Sequence, residues 1–264
     1  RDLKNGKKVL YSGCPCQIAG LYAFLDGSNL DDLFTMEVIC HGVPSANSFS
    51  KYLKDEVTEN IENITAISFR DKKNFGWGSG VRVLSEDKVI YQKKDREDSW
   101  YKGFLPCMIM RRSCEHCLFS RLPRQADISL GDFWGIEKFD RSWNDGKGTE
   151  VVLVNNRKGE IFFRDIISHQ VSRFEKFSLD AATDINKTIL HPFRAHSGRK
   201  HFFKSSNLMK YETLVDRSLH HDYDLGIVGL WYGINYGSVL TYYTLYCLVR
   251  DLGYDPVMLP KPNN

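Results

Sequence analysis

Two short apolar runs, Lys8-Val-Leu-Tyr-Ser12 and residues 33–39, each lead straight into a loop of cysteine, glycine and proline. The first opens into Gly13-Cys-Pro-Cys16 and the second into Cys40-His-Gly-Val-Pro44. Runs of that length and composition read as buried strands, and glycine or proline at their ends stops them. Residues 17–25 follow the first loop with apolar side chains at Ile18, Leu21, Tyr22 and Leu25, the spacing of one helix face. After the second loop, Ser45 stands where it can cap a helix over 46–57. Strand, loop and helix, twice over, point to an open α/β sheet. Such sheets gather ligands at the loops beyond the carboxyl ends of their strands, and here both loops carry cysteine.

Further strands are expected at 64–69, 127–131 and 150–154, with a hairpin at 81–84 and 89–91 around Ser85-Glu-Asp-Lys88. Helices are expected at 99–105 and 160–168, and a polar, helical stretch over 172–221 is interrupted at His191-Pro192. Strands alternate with helices while one hairpin intrudes, so the fold class is α/β or α+β with a mixed sheet. The pattern then restarts: strand 225–230, loop Gly233-Ile-Asn-Tyr-Gly237, helix 239–252, strand 256–259. Two units follow, a domain over 1–221 and, over 222–264, the first βαβ of a second doubly wound domain. The chain starts at Arg1 and stops at Asn264, just after the restarted unit's second strand, so it reads as a piece of a longer polypeptide.

Hydrophobic residues at 42% and charged residues at 26% suit a packed core and argue against wholesale disorder. A net charge of +3, with no basic stripe interleaved with aromatics, gives no reason to expect nucleic acid as a partner. Residues 225–249 hold no charge over 25 positions, long enough for a membrane helix. Gly226, Gly229, Gly233, Asn235 and Gly237 punctuate that stretch, so no membrane span is expected. No secretion signal opens the chain, and a cytoplasmic location is expected.

The seven cysteines are odd in number, which favours metal or redox chemistry over a disulfide framework. Cys114-Glu-His-Cys117 has the spacing that lets two thiolates approach one metal or one cluster. If the strands before Cys16 and Cys40 are parallel neighbours, their ends lie about 5 to 10 Å apart, and four thiolates can converge. Spacing alone leaves structural zinc and an iron–sulfur cluster both open. Cys247, within an apolar helix, and Cys107 read as small buried hydrophobes. Cys14 competes with Cys16 for one role. His191, His196 and His201 recur every five residues, which does not align them on a helix face, so they are not taken for metal ligands.

Five blocks occur in one order: Gly13-Cys-Pro-Cys-Gln-Ile-Ala-Gly-Leu21, Ile39-Cys-His-Gly-Val-Pro-Ser45, Phe69-Arg-Asp-Lys72, Arg112-Ser-Cys-Glu-His-Cys117 and Ala126-Asp-Ile-Ser-Leu-Gly-Asp-Phe-Trp-Gly135. Together they resemble the coenzyme F-420 hydrogenase/dehydrogenase beta-subunit family, over roughly residues 8–170. The resemblance implies a flavin- and iron–sulfur-dependent electron-transfer oxidoreductase, with FAD and a [4Fe–4S] cluster as cofactors. Carried over by residue, it puts the cluster on Cys16, Cys40, Cys114 and Cys117. It also implies a redox partner such as a ferredoxin or a hydrogenase/dehydrogenase subunit.

Within that frame, Gly13 and the helix start at Gln17 offer backbone N–H groups to a phosphate of FAD. Arg70 and Lys72 can neutralise the pyrophosphate, or else form a solvated strand end. Asp132, Phe133 and Trp134 can line the cofactor, or else fill a core. His41, beside Cys40, can donate a hydrogen bond to flavin or cluster sulfur, which would make it the catalytic candidate, or else simply pack.

Gly226-Ile-Val-Gly-Leu-Trp-Tyr-Gly-Ile-Asn-Tyr-Gly-Ser-Val-Leu-Thr241 resembles the opening of the polysaccharide pyruvyl transferase family. That likeness implies transfer of a pyruvyl group from phosphoenolpyruvate to a glycan. Two alternatives to the redox reading stay open: an accessory domain of such a transferase, and a zinc-stabilised binding domain.

Overall fold

The computed structural model of the chain describes all residues except 28–29, 77–79, 170–172, 221–224, 228–235, 253, 255 and 259–264. Strand β1 (Val9–Gly13) runs into helix α1 (Pro15–Leu25), which returns the chain to strand β2 (Leu33–Val38). β2 lies parallel to β1, with Val9 opposite Leu33 and Gly13 opposite Glu37. Next come helix α2 (Ala46–Tyr52), strand β3 (Ile64–Ser68), the single turn α3 (Lys72–Phe75), and strands β4 (Gly80–Ser85) and β5 (Lys88–Lys94). Helices α4 (Ser99–Phe104) and α5 (Arg112–Glu115) precede strand β6 (Ile128–Asp132), which pairs parallel with β2. Strand β7 (Glu150–Val154) closes the sheet antiparallel to β6, giving the order β1-β2-β6-β7.

The sheet is mixed, as expected, but the hairpin is not what mixes it. β3, β4 and β5 form a separate three-stranded antiparallel sheet, and the antiparallel member of the main sheet is β7. The hairpin turn places Glu86 at φ 47° and Asp87 at φ 62°. Two successive left-handed residues match the twist of the strands they join, so the hairpin closes locally and needs no partner in the main sheet.

Two of the departures from the expected helices have a definite physical cause. α1 starts at Pro15, two residues early, because proline suits the first helical position and Cys14 forms the cap. Cys16 therefore lies in the first turn of α1, not in a free loop. The helix expected over 46–57 changes at Tyr52 into a π-helical turn, Leu53–Val57. That turn carries Asp55 and Glu56, whose carboxylates accept the Tyr211 and Glu212 amides at 2.9 and 3.0 Å. They satisfy the N-terminus of a distant helix, a tertiary demand that local periodicity does not encode.

Helix α6 (Arg157–His169) covers the main sheet after β7. The polar stretch then forms three short helices, α7 (Leu179–Ile185), α8 (Arg199–Lys204) and α9 (Tyr211–Leu219), with irregular chain around His191. Strand β8 (Leu225–Ile227), helix α10 (Tyr236–Asp251) and strand β9 (Pro256–Met258) make a parallel βαβ. The end of the strand expected at 225–230 and most of the Gly233–Gly237 loop lie outside the described residues. No helix among the described residues is long and apolar enough to cross a membrane.

One core joins α2, α4, α8 and α9 through Tyr52, Trp100, Phe202, Tyr211 and Leu214. Asp98 is buried beside it, accepting from Tyr52 Oη at 2.9 Å, Tyr91 Oη at 2.8 Å and the Tyr101 amide at 3.1 Å. Met108, Ile109 and Met110 are fully buried. Each contributes about 1.5–3 kcal/mol by leaving water, and together they anchor the segment that leads to Cys114.

Candidate functional site at the carboxyl ends of the main sheet

β1 and β2 end side by side, and the chain beyond each carries cysteine. Past β2, the Ile39 amide still donates to the Leu130 carbonyl at 2.7 Å before the backbone leaves the sheet at Cys40. Gly42 has φ 120°, and a Cβ there would stand 2.9 Å from the ring of Phe193, so only glycine fits. The chain then pairs with the cysteine segment: Ser45 N–H donates to the Ile109 carbonyl at 3.0 Å and Arg111 N–H to the Val43 carbonyl at 2.8 Å. This short ladder draws the loop of Cys40 towards α5, which carries Cys114. Cys117 follows one turn later, its amide donating to the Cys114 carbonyl at 3.3 Å.

Arg199 braces the same segment from α8. It donates to the carbonyls of Met108, at 3.1 Å, and Met110, meets Glu115 at 3.9 Å and lies 4.5 Å over the ring of Phe203. Ser120 Oγ, donating to the Thr188 and His191 carbonyls, holds the chain beyond Cys117. Sequence reasoning weighed the histidines of the 191–201 region and passed over Arg199.

The result is a group of five thiols from three separate segments. Burial raises the Cys16 thiol above its ordinary range, and Cys14, Cys117 and Cys114 push it further. The Cys40 thiol is pushed up to about 12, by burial first, then by Cys14 and Cys114. All seven cysteines of the chain are free thiols. Cys14, left as a competitor of Cys16 by the sequence, stands inside the group. Among the described residues no three His, Cys, Asp or Glu side chains close on one point as ligands of a single ion would. Cys14, Cys114 and Cys117 are close enough to Cys16, and Cys14 and Cys114 close enough to Cys40, to oppose ionisation there. Bound cationic metal relieves that opposition, since a coordinated thiol loses its proton outright. Cysteine thiolates are the donor type that an iron–sulfur cluster takes, each on a different iron.

The start of α1 is tightly capped. Pro15 has no N–H, the Cys14 amide donates to Gln17 Oε1 at 2.8 Å, and the Gln17 amide donates to the Cys14 carbonyl at 2.8 Å. Gly13 is needed for that cap, because a Cβ on it would come within 2.9 Å of Gln17 Oε1. The Gln17 amide, expected to serve a phosphate, is thus engaged within the helix end. The backbone N–H of Cys16, in the first turn of the helix, works against the rise of its own thiol.

His41 turns towards Cys107. Its Nε2 lies 3.3 Å from Cys107 Sγ and 3.4 Å from the Phe104 carbonyl, and its ring packs on that of Phe104 at 5.0 Å. Cys107 is buried, with φ 61°, and burial pushes its thiol up to about 11.

The other candidates meet at a charged corner where the small sheet approaches β6. Arg70 donates to Asp132 Oδ2 at 2.7 Å and lies 6.0 Å from the ring of Trp134. Asp132 holds the guanidinium charge firmly by that hydrogen bond. Glu150 is raised by burial and then by Asp132, while Lys72 and Arg70 oppose the rise. Trp134 is half exposed over this corner, whereas Phe133 is buried, packed edge-on to Phe177 at 5.3 Å. Phe133 thus fills a core: alternation along the chain sends it inward and leaves its neighbours Asp132 and Trp134 outside.

Beneath both places runs a buried polar layer that the sequence reading missed. Glu37 accepts from Arg124 Nε at 2.5 Å and from Ser129 Oγ at 2.8 Å. Asp127 accepts from the Thr35 amide at 2.8 Å and from Asn156 Nδ2 at 2.8 Å. A glutamate amid the apolar run 33–39 was the available signal, since a buried carboxylate demands a partner.

A family model described as the C-terminal region of the coenzyme F420 hydrogenase/dehydrogenase beta subunit matches residues 6–179. Among solved structures, a chain of the F420-reducing [NiFe] hydrogenase complex from Methanosarcina barkeri, studied by xenon derivatization, is 17% identical with a TM-score of 0.38. The alignment covers 69% of this chain and 58% of that one. No curated protein matches the chain.

Proposed function

Because this chain belongs to the coenzyme F420 hydrogenase/dehydrogenase beta-subunit family, we propose that it works as a flavin- and [4Fe–4S]-dependent electron-transfer oxidoreductase. The observation that carries the reading is the gathering of thiols from α1, from the exit of β2 and from the α5 segment into one group, near enough for Cys14 and Cys114 to act on both Cys16 and Cys40. Cys16, Cys40, Cys114 and Cys117 hold the cluster, and Cys14 stands beside them as a fifth thiol. When bound, the flavin takes two electrons as hydride and the cluster passes them singly, chemistry that belongs to the cofactors.

The chain's own groups bind and orient. The N-terminus of α1 stabilises the thiolate form of Cys16, and Arg199 keeps the Cys114 turn against the core through the Met108 carbonyl. His41 braces the Cys40 loop against Cys107 and Phe104. The charged corner would hold FAD, with Arg70 and Lys72 supplying charge to its pyrophosphate and Trp134 an apolar surface. Gly13 and Gln17 contribute through the cap that shapes α1, and Phe133 through the core behind Asp132. Free thiols of this kind suit a reducing compartment, the cytoplasm. Electrons are exchanged with a ferredoxin or with another hydrogenase/dehydrogenase subunit.

The test is anaerobic reconstitution followed by assays of iron, sulfide and flavin. A brown protein with about four irons per chain and bound FAD is expected. Stoichiometric zinc without iron, in a colourless protein, would overturn the reading.

A further inference from the structure

Arg111, Arg112 and Arg121 flank Cys114 and Cys117 along the chain, and all three are exposed. Among the described residues, no carboxylate pairs with any of them. Other arginines, Arg70, Arg82, Arg124, Arg157, Arg164, Arg173 and Arg199, do each meet an Asp or Glu within 4 Å. Over residues 111–124 the one acid is Glu115, and Arg199 faces it. Between the arginines and just beyond them stand two uncovered leucines, Leu118 at 66% exposure and Leu122 at 43%. Cys16, across the thiol group from this segment, is exposed as well.

We propose that this face docks a small acidic protein that carries one electron at a time, with Leu118 and Leu122 at the centre of the contact and the arginines around it. The inference rests on the cluster reading for its purpose but on surface chemistry for its geometry. An apolar centre with arginine about it is the make-up of a transient protein interface. Unpaired positive charge raises the encounter rate with an acidic partner and sets its orientation. The chain as a whole is near neutral at +3, so the attraction is local to the cysteine face and not a general stickiness for polyanions. No exposed Phe, Tyr or Trp stands among the three arginines to stack a base, which sets the face apart from a nucleic-acid platform.

A fluorescently labelled acidic 2[4Fe–4S] ferredoxin, titrated with the full chain and followed by anisotropy, tests the proposal. Wild-type affinity should fall about tenfold or more between about 20 mM and about 200 mM salt. Arg112→Glu with Arg121→Glu should weaken binding about tenfold or more at low salt and flatten the salt dependence. Arg96→Glu, an exposed reversal elsewhere, should change neither, and unchanged circular dichroism verifies the fold of each variant. Absence of wild-type binding, or binding indifferent to the double reversal, overturns the proposal. So does binding of anionic phospholipid vesicles in place of the ferredoxin. Iron assayed in the same samples keeps the two readings apart: a chain without iron defeats the cluster, while the titration still decides the docking face.

Discussion

The cysteine group and the charged corner lie at the ends of neighbouring strands, but their chemistry is opposite. At the cysteines, like groups are brought together, and burial and the neighbouring thiols make Cys16 and Cys40 harder to ionise. At the corner, Arg70 and Asp132 already satisfy each other at 2.7 Å. A metal bound at the first would take as thiolates groups that the free chain holds as thiols. A ligand arriving at the second joins an arrangement that is stable without it. The first site should therefore be coupled strongly to what it binds, and the second should be tunable by single substitutions without loss of the fold.

The largest effect should come from the layer beneath both. Glu37 and Arg124 are buried to within 1% of their side-chain surface. Glu37→Ala leaves the Arg124 charge without its carboxylate, so a stability loss of about 3–5 kcal/mol is expected in chemical denaturation. A loss under about 1 kcal/mol would show that the cysteine end does not depend on that layer. At the corner, Arg70→Ala should weaken FAD binding by about 1.5–3 kcal/mol, through loss of a charge-assisted contact, and leave the iron content intact. Equal affinity in flavin titrations would move the flavin elsewhere. The same substitution should alter the stability of the flavin-free chain by less than about 1 kcal/mol, because the Arg70–Asp132 pair is partly solvated.

The smallest expected effect concerns a thiol outside the group. Cys107 is raised from 9.0 to about 11 by burial. The folded chain keeps its proton at pH values where the unfolded chain has lost it, so stability is fully present below pH 9 and declines as pH rises from 9.0 to about 11. Cys107→Ala should flatten that decline in urea titrations run across the window, and an unchanged slope would show that the thiol stays protonated in both states.

Much of this was legible in the residues. Most strands and the placement of cysteine loops at the ends of β1 and β2 follow from local runs, while the choice of four cysteines as ligands came from the family resemblance. What stayed hidden depends on contacts between distant segments. Arg70 and Asp132 were both singled out, yet their pairing across 62 positions is set by how the small sheet meets the main one. Phe133 and Trp134 are adjacent and both aromatic, and only the alternation carried on from β6 separates a core residue from an exposed one. The start of α1 shifted because Pro15 reads as a breaker in a strand–loop context and as a first residue once Cys14 caps the helix. Cys14 entered the group for the same reason, since the tight cap holds it beside Cys16.

The central claim is that thiols drawn from three segments hold one cluster, and a serine series measures it most directly. Iron per chain should stand at about four in the anaerobically reconstituted protein. It should fall sharply in the Cys16, Cys40, Cys114 and Cys117 variants, and remain in the Cys107→Ser and Cys247→Ser variants. Iron that survives in Cys117→Ser, or that disappears equally in Cys247→Ser, would contradict the account.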